Sequence, residues 1–250
     1  MGIDITVLFD DAADGERLIA AHGMSCLIEG TERTILFDTG CDGHILLANM
    51  EALGKDPARV DVVVISHHHW DHMGGLWELL RRSGPVHLFI PKSFSAEFGR
   101  HAEMLGARVT AVDGPAEIAT HVFSTGEMGD KIKEQALILK ADEGVTVITG
   151  CAHPGIVDIV RRAREVCGGP VHLVLGGFHL RDYSEDRVRV VIDELKRLGV
   201  ERVGASHCTG DMPIEMFRQF WNDSFVDFTC GADVHLDAFR ASPRPTAANT

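Results

Sequence analysis

The chain has 250 residues, of which 45% are hydrophobic and 24% charged, a composition typical of globular proteins rather than disordered ones. Its 24 lysines and arginines against 37 aspartates and glutamates give a net charge of −13, which disfavours nucleic-acid binding because neutralising phosphates requires a positive surface. No apolar stretch approaches the ~18–20 residues of a membrane span, and the first residues lack a secretory signal. We therefore expect a soluble, cytoplasmic protein that acts on a small molecule, without nucleic-acid or membrane partners; a homo-oligomer is left open.

Strand-like and helix-like patterns alternate in the first part of the chain. Asp42 is expected to cap a helix that ends at Gly54, and a second helix is expected to begin near Leu76, after Gly74-Gly75. The run at 60–65, which is β-branched apart from Asp61, suits a strand that is buried on both faces. The predicted strands of this part are 3–9, 26–29, 34–37, 60–65 and 86–90.

The segment 92–135 has a less regular pattern, with short strands expected near 109–112 and 118–123, and we interpret it as a lid or insert. The alternation then resumes, and a single domain is expected over 1–240, with a disordered tail at 241–250. Strands followed by helices in each half predict an α/β fold of two similar layers, packed sheet to sheet. The later predicted strands are 136–139, 145–149, 171–175, 200–205, 225–228 and 232–236, and the later predicted helices are 156–166, 184–198 and 213–221.

The segment SHHHWDHMGG, directly after the predicted strand 60–65, concentrates residue types that bind metals. His67 and His69 are two residues apart, so their side chains project to one side of an extended stretch. Asp71 and His72 follow where the chain turns into a helix and can point at a second position. Imidazole and carboxylate groups are ligands of zinc, iron and manganese alike. The segment predicts a metal site, because a polar surface loop would not require Asp71 and His72 to follow His67 and His69 at a spacing that suits metal ligands.

Three further histidines, His153, His179 and His207, lie in turns of small residues after predicted strands. Ligand sites of α/β proteins are built at the carboxyl ends of strands. Any one of the three could be a hydrogen-bonded structural histidine, but their shared context favours one site. Cys151 and Cys208 could be soft ligands there, although we favour small packing residues. The remaining histidines are interpreted as surface or core residues: His22, His44, His87, His101, His121, His172 and His235.

Asp38 ends another predicted strand, within the sequence LFDTG. A carboxylate at this position could accept a hydrogen bond from the N–H of a metal-bound imidazole and so fix the tautomer of the ring. An ordinary turn aspartate before Gly40 is the alternative. The six cysteines show no CxxC spacing, which indicates reduced thiols rather than a disulfide framework.

These motifs resemble those of the metallo-β-lactamase superfamily over nearly the whole chain. The HHHWDH segment is similar to the HxHxDH motif, while Asp38, His153 and His207 resemble the earlier and later motifs. The resemblance implies a four-layer αββα sandwich with two divalent metal ions at the edge between the sheets. Zinc is the first choice, with iron, manganese and nickel left open. The ligand sets that it implies are His67, His69 and His153 for one ion, and Asp71, His72 and His207 for the other.

The turns around the later histidines are similar to one group of that superfamily, the 7,8-dihydropterin-6-ylmethyl-4-(β-D-ribofuranosyl)aminobenzene 5′-phosphate synthases and related metal-dependent hydrolases. The chain departs from the general pattern after the penultimate strand, where most members carry a bridging aspartate and this chain has Gly177-Phe178-His179. A protein bridge between the metals is therefore left open. Whether His179 is a metal ligand or a substrate contact is open as well.

The implied function is an enzyme that acts on a phosphorylated small molecule, with pyrophosphate displaced from a pterin in the synthase version. Alternatives are a phosphodiesterase or other phosphoesterase, a thioesterase, a lactonase, and a non-catalytic metal-binding sensor. Asp71, His179 and Asp38 are the candidate catalytic residues. The candidate substrate contacts are His179, Phe178, Arg181 and Lys131, with Trp70 as a further stacking face. At least one of four cations is expected at the pocket mouth: Lys92, Lys131, Lys133 or Arg181.

Overall fold

The structure, a computed structural model, describes residues 2–237, so the expected tail at 241–250 lies outside the described residues. Its strands are, in chain order, β1 (Ile3–Phe9), β2 (Ser25–Glu29), β3 (Ile35–Phe37), β4 (Val62–Val64), β5 (His87–Pro91), β6 (Arg108–Val112), β7 (Ala116–Ala119), β8 (Val122–Ser124), β9 (Leu137–Ala141), β10 (Gly144–Thr149), β11 (Val171–Gly177), β12 (Arg202–Ser206) and β13 (Asp233–Leu236). Its helices are α1 (Gly43–Ala52), α2 (Trp70–Met73), α3 (Leu76–Arg82), α4 (Ala96–Met104), α5 (Ile156–Cys167), α6 (Glu185–Arg197) and α7 (Asp211–Trp221).

The described strands form two sheets, one in the order β13-β1-β2-β3-β4-β5-β6 and the other in the order β12-β11-β10-β9-β8-β7. Strands β3 to β6 run parallel in the first sheet, as do β10, β11 and β12 in the second. A core between the sheets joins apolar side chains of both, such as Ile5 and Leu175. Two outer cores pack the sheets against α1, α3 and α4 on one side and α5, α6 and α7 on the other. The expected αββα sandwich is thereby confirmed.

Strand β4, an interior strand of its sheet, shows why the run at 62–65 is entirely apolar. Val62 and Val64 face the core between the sheets, while Val63 faces the helices, and all three side chains are buried. Alternate side chains of a strand point to opposite faces, so a strand covered on both sides needs an apolar residue at every position. Burying each valine contributes about 1.5–3 kcal/mol. The rigid strand therefore delivers the following histidine-rich loop in a defined position.

The segment 92–135 is more regular than its sequence pattern predicts. It contains α4, β6, β7 and β8, and the chain crosses from the first sheet to the second between β6 and β7. The strand expected near 109–112 is confirmed as β6, and the one expected near 118–123 overlaps β7 and β8, but the interpretation of 96–124 as a lid or insert is wrong because its strands belong to the two sheets. The strands were hard to predict because β7 and β8 have only four and three residues, too few to establish a period.

Two smaller expectations have different outcomes. Asp42 caps α1 as predicted, since its carboxylate accepts hydrogen bonds from the backbone N–H groups of His44 and Ile45. The expected strand at 225–228 is absent from the described structure, where Phe225 forms an isolated bridge with Val203.

No helix within residues 2–237 is long and apolar enough to cross a membrane.

Candidate metal centre

The candidate site lies where five strands of the two sheets end. Asp38 follows β3 and the histidine-rich loop follows β4, while Cys151, His179 and His207 come just after β10, β11 and β12. Within each sheet these strands are parallel, so their carboxyl ends lie at the same edge. The packing of the two sheets then brings loops that are far apart in the sequence into one site.

The first set of ligand-type side chains, here called the histidine group, consists of His67, His69 and His153. One ring nitrogen of each lies within 4.8 Å of the others. Nε2 of His67 is 3.1 Å from Nδ1 of His69, and the ring centroid of His153 is 4.6 Å from that of His67. His67 is buried, whereas His69 and His153 are partly exposed. The structure thus brings together the three residues that the sequence assigned to one ion.

The second set, here called the mixed group, consists of Asp71, His72, Cys151 and His207, and all four are buried. Oδ2 of Asp71 is 3.3 Å from Nε2 of His207 and 3.5 Å from Nε2 of His72. Sγ of Cys151 lies 3.2 Å from Nε2 of His72. The rings of His67 and His72 have centroids 4.2 Å apart, so the two groups are neighbours. The predicted residues come together, and Cys151, which the sequence favoured as a packing residue, joins them.

Hydrogen bonds from a surrounding layer orient the imidazoles of both groups. Four of the rings are held at Nδ1, which leaves Nε2 directed at the group that the ring belongs to. The bonds pair His67 with Oγ of Ser66 at 2.9 Å, His153 with Oε2 of Glu134 at 2.9 Å, His72 with Oδ2 of Asp38 at 2.7 Å, and His207 with Oδ1 of Asp11 at 2.7 Å.

Asp38 lies outside the two ligand groups and supports them through hydrogen bonds. It is completely buried, and its carboxylate accepts hydrogen bonds from the backbone N–H and the hydroxyl of Ser66, both at 2.6 Å. Gly150 keeps this space open, because a Cβ there would lie 2.2 Å from Oγ of Ser66 and 3.0 Å from Oδ2 of Asp38. The predicted hydrogen bond from an imidazole to Asp38 is thus present, to His72, and it makes Asp38 a positioning residue rather than the catalytic residue it was also predicted to be.

Glu134 is a functional candidate that the sequence did not reveal. Its buried carboxylate accepts hydrogen bonds from the backbone N–H groups of Cys151, Ala152 and His153, at 2.8–2.9 Å, besides holding the ring of His153. Burial opposes its ionisation, yet the neighbouring His67 and His153 and these N–H groups hold its pKa below the usual range. Glu134 thus shapes the turn in which Ala152 has a φ of 57°. A single glutamate in a turn-rich segment carries no local signal of this role.

Asp11 and His22 were missed as well. His22, interpreted from the sequence as a surface or core residue, is exposed but lines the site, with Nε2 3.3 Å from Oδ2 of Asp71. Its Nδ1 lies 3.1 Å from Oδ2 of Asp11, the carboxylate that also holds His207. Burial opposes ionisation of Asp11, but its hydrogen bonds to His207 and His22 hold its pKa below the usual range. Both residues lie in the loop between β1 and β2, more than 180 positions before His207.

The two groups differ in the protonation that their surroundings favour. Burial and the neighbouring imidazoles lower the pKa of His67 and of His69. Burial also opposes protonation of His72 and His207, but the carboxylates around them outweigh it. Asp38 and Asp71 raise the pKa of His72 to about 10, and Asp11 and Asp71 raise the pKa of His207 to about 9. Without a metal, positive charge is therefore favoured in the mixed group and disfavoured in the histidine group.

The residues present fit a divalent transition metal. Nε2 of His207 is buried and forms no hydrogen bond with any residue of the described chain, although it faces the carboxylate of Asp71. Buried polar nitrogens are rarely left without a partner, and a metal ion would satisfy this one. Imidazole, carboxylate and thiol groups are together the donor set of zinc and related ions. The side chains that would hold such ions are those of the histidine and mixed groups.

A pocket of 390 Å³ opens at the two groups. His179, which is exposed, lines it with its ring centroid 4.6 Å from that of His153, and Arg181 lines it too. Trp70, 60% exposed, offers an indole face at the same pocket. Lys131 is exposed but does not belong to the described lining, so the structure does not support it as a substrate contact. The other two lysines are engaged elsewhere: Lys92 with Asp113 at 2.7 Å, and Lys133 with the carbonyl of Gly129 at 2.5 Å.

Phe178 does not contact the pocket, and its predicted role as a stacking face is wrong. Its side chain is 1% exposed and packs edge-on against Phe217, in the core beneath α7. The next residue, His179, has a φ of 54°, an uncommon backbone conformation for a residue other than glycine. This turn sends Phe178 into the core and His179 into the pocket.

Comparisons with known proteins agree with this geometry. The family model for the metallo-beta-lactamase superfamily matches residues 20–207. The 7,8-dihydropterin-6-methyl-4-(beta-D-ribofuranosyl)-aminobenzene-5'-phosphate synthase of Methanocaldococcus jannaschii is 29% identical, over 90% of this chain and 94% of its own. A crystal structure described as a metal-dependent hydrolase of the beta-lactamase superfamily has 27% identity and a TM-score of 0.78, covering 94% of this chain and 99% of its own.

A more distant structure shows how widely the fold is shared. A metallo-beta-lactamase fold protein from Bacillus subtilis has a TM-score of 0.69 at 12% identity, covering 94% of this chain and 100% of its own. Members of the superfamily bind divalent metals, in agreement with the clustered side chains. With a family match that spans most of the chain, and a sandwich whose strand ends carry the expected motifs, this protein belongs to the metallo-β-lactamase superfamily.

Proposed function

We propose that this protein is an enzyme with two divalent metal ions, zinc foremost, that acts on a phosphorylated small molecule, and that it joins a pterin to an arylamine with loss of pyrophosphate. The observation that carries the proposal is one pocket lined by members of both ligand groups together with Arg181. The named synthase at 29% identity, aligned over nearly the whole of both chains, supports this choice of reaction.

Charge explains why such a site suits a phosphorylated substrate. The chain has a net charge of −13, so an anion needs local positive charge at the pocket. Ions held by the two groups would supply that charge, stabilise the negative charge that develops on leaving pyrophosphate, and lower the pKa of coordinated water. Arg181 pairs with Asp11, its Nη2 3.5 Å from Oδ2 of that carboxylate, but 57% of its side chain is exposed, so it extends the positive charge toward solvent.

The chain's own residues can provide binding and proton transfer. A volume of 390 Å³ lies within the range of pockets that bind small molecules, and Trp70 offers a face on which a heterocycle can stack. In the proposed reaction the amine nitrogen bonds to the pterin methylene carbon, the bond from that carbon to the pyrophosphate oxygen breaks, and the amine loses a proton. His179 faces the pocket and is the residue that we assign to accept that proton.

The primary test supplies 6-hydroxymethyl-7,8-dihydropterin pyrophosphate with and without 4-(β-D-ribofuranosyl)aminobenzene 5′-phosphate. Pyrophosphate release that requires the amine, with a coupled product detected by mass spectrometry, is the expected result. Release that does not depend on the amine would contradict the joining reaction. Absence of turnover by protein that carries its full metal content would contradict it as well.

A second test addresses His179 alone. His179→Asn should lower kcat by about 10²–10⁴-fold, since general acid–base catalysis contributes that much, while elemental analysis of protein loaded with zinc at the histidine and mixed groups still shows both of those ions. His44→Asn is the matched control, because His44 is exposed on α1 and does not line this pocket. A parallel loss of activity and of an ion from the histidine or mixed group would instead make His179 a ligand of that group.

A hydrolase is the second candidate, favoured by the structure at 27% identity that is described as a metal-dependent hydrolase. The same pocket would then direct water at a phosphoester. Phosphate release from simple monoesters or diesters, with no requirement for an amine, would identify this activity. Cleavage of thioesters or lactones would identify the other hydrolytic alternatives, and metal binding without turnover of any of these substrates would indicate a sensor.

A further inference from the structure

A third cluster of metal-binding side chains lies beside the two groups described above. Sγ of Cys151, Sγ of Cys208 and a ring nitrogen of His179 all lie within 4.8 Å of one another. They follow β10, β12 and β11, so three separate strand ends deliver them to one point. Neither the proposed reaction nor the two ligand groups account for Cys208.

The backbone beside Cys208 is shaped to leave room for its thiol. A Cβ at Gly177 would lie 2.6 Å from Sγ of Cys208 and 2.4 Å from the carbonyl oxygen of Gly150, both too close for a real contact. The absence of a side chain at Gly177 therefore gives the thiol its place in the pocket. Sγ of Cys208 also lies 3.7 Å from the carbonyl oxygen of Cys151, which keeps the two cysteines together.

Two thiols and an imidazole are a softer donor set than those of the neighbouring groups. Thiolates select zinc, cadmium and other thiophilic ions over magnesium or manganese. Cys151 is also 3.2 Å from Nε2 of His72, so its sulfur lies between this cluster and the mixed group. A thiolate at that position can contact an ion on either side.

We propose that Cys151, His179 and Cys208 form a thiol-rich metal subsite at the pocket, which takes a thiophilic divalent ion and shares Cys151 with the mixed group. The cysteines are free in the structure, as ligation requires. The proposal rests on the metal-binding part of the proposed function and is independent of the substrate. His179 accepts the amine proton only while this subsite is empty, because an imidazole bound to the ion has no free nitrogen lone pair to accept a proton.

Cadmium titration of the reduced, metal-free protein tests the subsite, because cadmium bound to thiolates absorbs in the ultraviolet by charge transfer. Wild-type protein should give a charge-transfer band with the intensity expected of two cadmium-bound thiolates, those of Cys151 and Cys208. Cys208→Ser should lower its intensity about two-fold and remove one equivalent of bound cadmium, measured by elemental analysis after desalting. Cys167→Ser, at the end of α5 and outside these clusters, is the matched control and should match wild type.

The outcomes separate this inference from the proposed function. An unchanged band and stoichiometry in Cys208→Ser would overturn the subsite while leaving the histidine and mixed groups standing. If magnesium displaced the bound cadmium at an equal concentration, the proposed preference of the subsite for thiophilic ions would be wrong. Failure of wild-type protein to bind any cadmium would contradict the proposed metal-dependent function too. Circular dichroism checks the fold of the variant, and Cys208→Ala must reproduce the Cys208→Ser result for the subsite to stand.

Discussion

The histidine group and the mixed group lie side by side but have different electrostatic surroundings. The histidine group has one carboxylate behind it, Glu134, and its rings are held toward the neutral form. The mixed group contains the carboxylate of Asp71 and is backed by Asp38 and Asp11, so its imidazoles are held toward the charged form. Groups with similar ligand types can thus differ in protonation before a metal binds. The histidine group offers nitrogen lone pairs at neutral pH, whereas the mixed group must first release protons.

Removing one ligand from each group gives the largest expected effect. His153→Ala should eliminate metal binding at the histidine group and leave the fold intact, because Glu134 still accepts hydrogen bonds from the backbone N–H groups of that turn. Elemental analysis should show the loss of about one metal equivalent per chain, and turnover should fall by at least about 10³-fold.

His207→Ala is the companion variant for the mixed group. It should remove the other equivalent and also destabilise the metal-free protein, because Asp11 and Asp71 lose a charged partner. Full metal content in either variant would show that the group concerned does not bind an ion.

The next largest effects on metal affinity are expected from changing the carboxylates that hydrogen-bond to the imidazole rings. Glu134→Gln should weaken metal binding at the histidine group by about 10–100-fold, because the partner that orients His153 is altered. Asp38→Asn should weaken the mixed group by a similar factor and the histidine group by less, because Asp38 contacts His72 directly but reaches His67 only through the hydroxyl of Ser66. Competition with a chromophoric chelator measures both affinities. If either variant weakened both groups equally, the division into two independently supported groups would be wrong.

The pH dependence should separate the groups without mutation. Metal affinity of the mixed group should rise with pH until about 9–10, where His72 and His207 lose their protons, whereas affinity of the histidine group should stay flat above neutral pH. Calorimetry in buffers of different ionisation enthalpy counts the protons released. A proton count near zero at pH 7 for both ions would contradict the comparison.

The same ionisations should appear in the stability of the metal-free protein. Folding raises the pKa of His72 from 6.5 to about 10, so its favourable contribution is complete below pH 6.5 and is lost as the pH rises through 10. Urea unfolding between pH 6 and 10.5 should therefore show a decreasing free energy of unfolding. His72→Gln should flatten that decrease, and a decrease that is unchanged in the variant would contradict the raised pKa.

The smallest expected effect concerns the pocket rather than the groups. Arg181→Gln should raise KM for a phosphorylated substrate by about 2–5-fold with little change in kcat, since an exposed charge contributes about 1 kcal/mol or less. Arg189→Gln, on the exposed face of α6, is the control with the same loss of charge. A fall in kcat without a change in KM would place Arg181 in the reaction step instead of in binding.

The alternation of strands and helices, the central strand β4 and the clustering of histidines at strand ends could all be predicted from the sequence. Each of these features can be recognised within a few consecutive residues. Positions 62–64 are all apolar, and a histidine lies in a small-residue turn after each of three strands. Hydrophobic burial acts locally on such patterns, so the pattern itself identifies the element. The four-layer sandwich then followed from the resemblance of the HHHWDH segment and its partner motifs.

The residues behind the ligands were decided only by the tertiary structure. Asp11 and His207 are 196 positions apart, and Glu134 approaches His153 from a loop without a recognisable pattern. The roles of Phe178 and His179 depend on a single positive φ, which sends the aromatic ring into the core and the imidazole into the pocket. A sequence shows which residue types are available near strand ends. Which of them meet is decided by the packing of the two sheets, because that packing brings together loops that share no local signal.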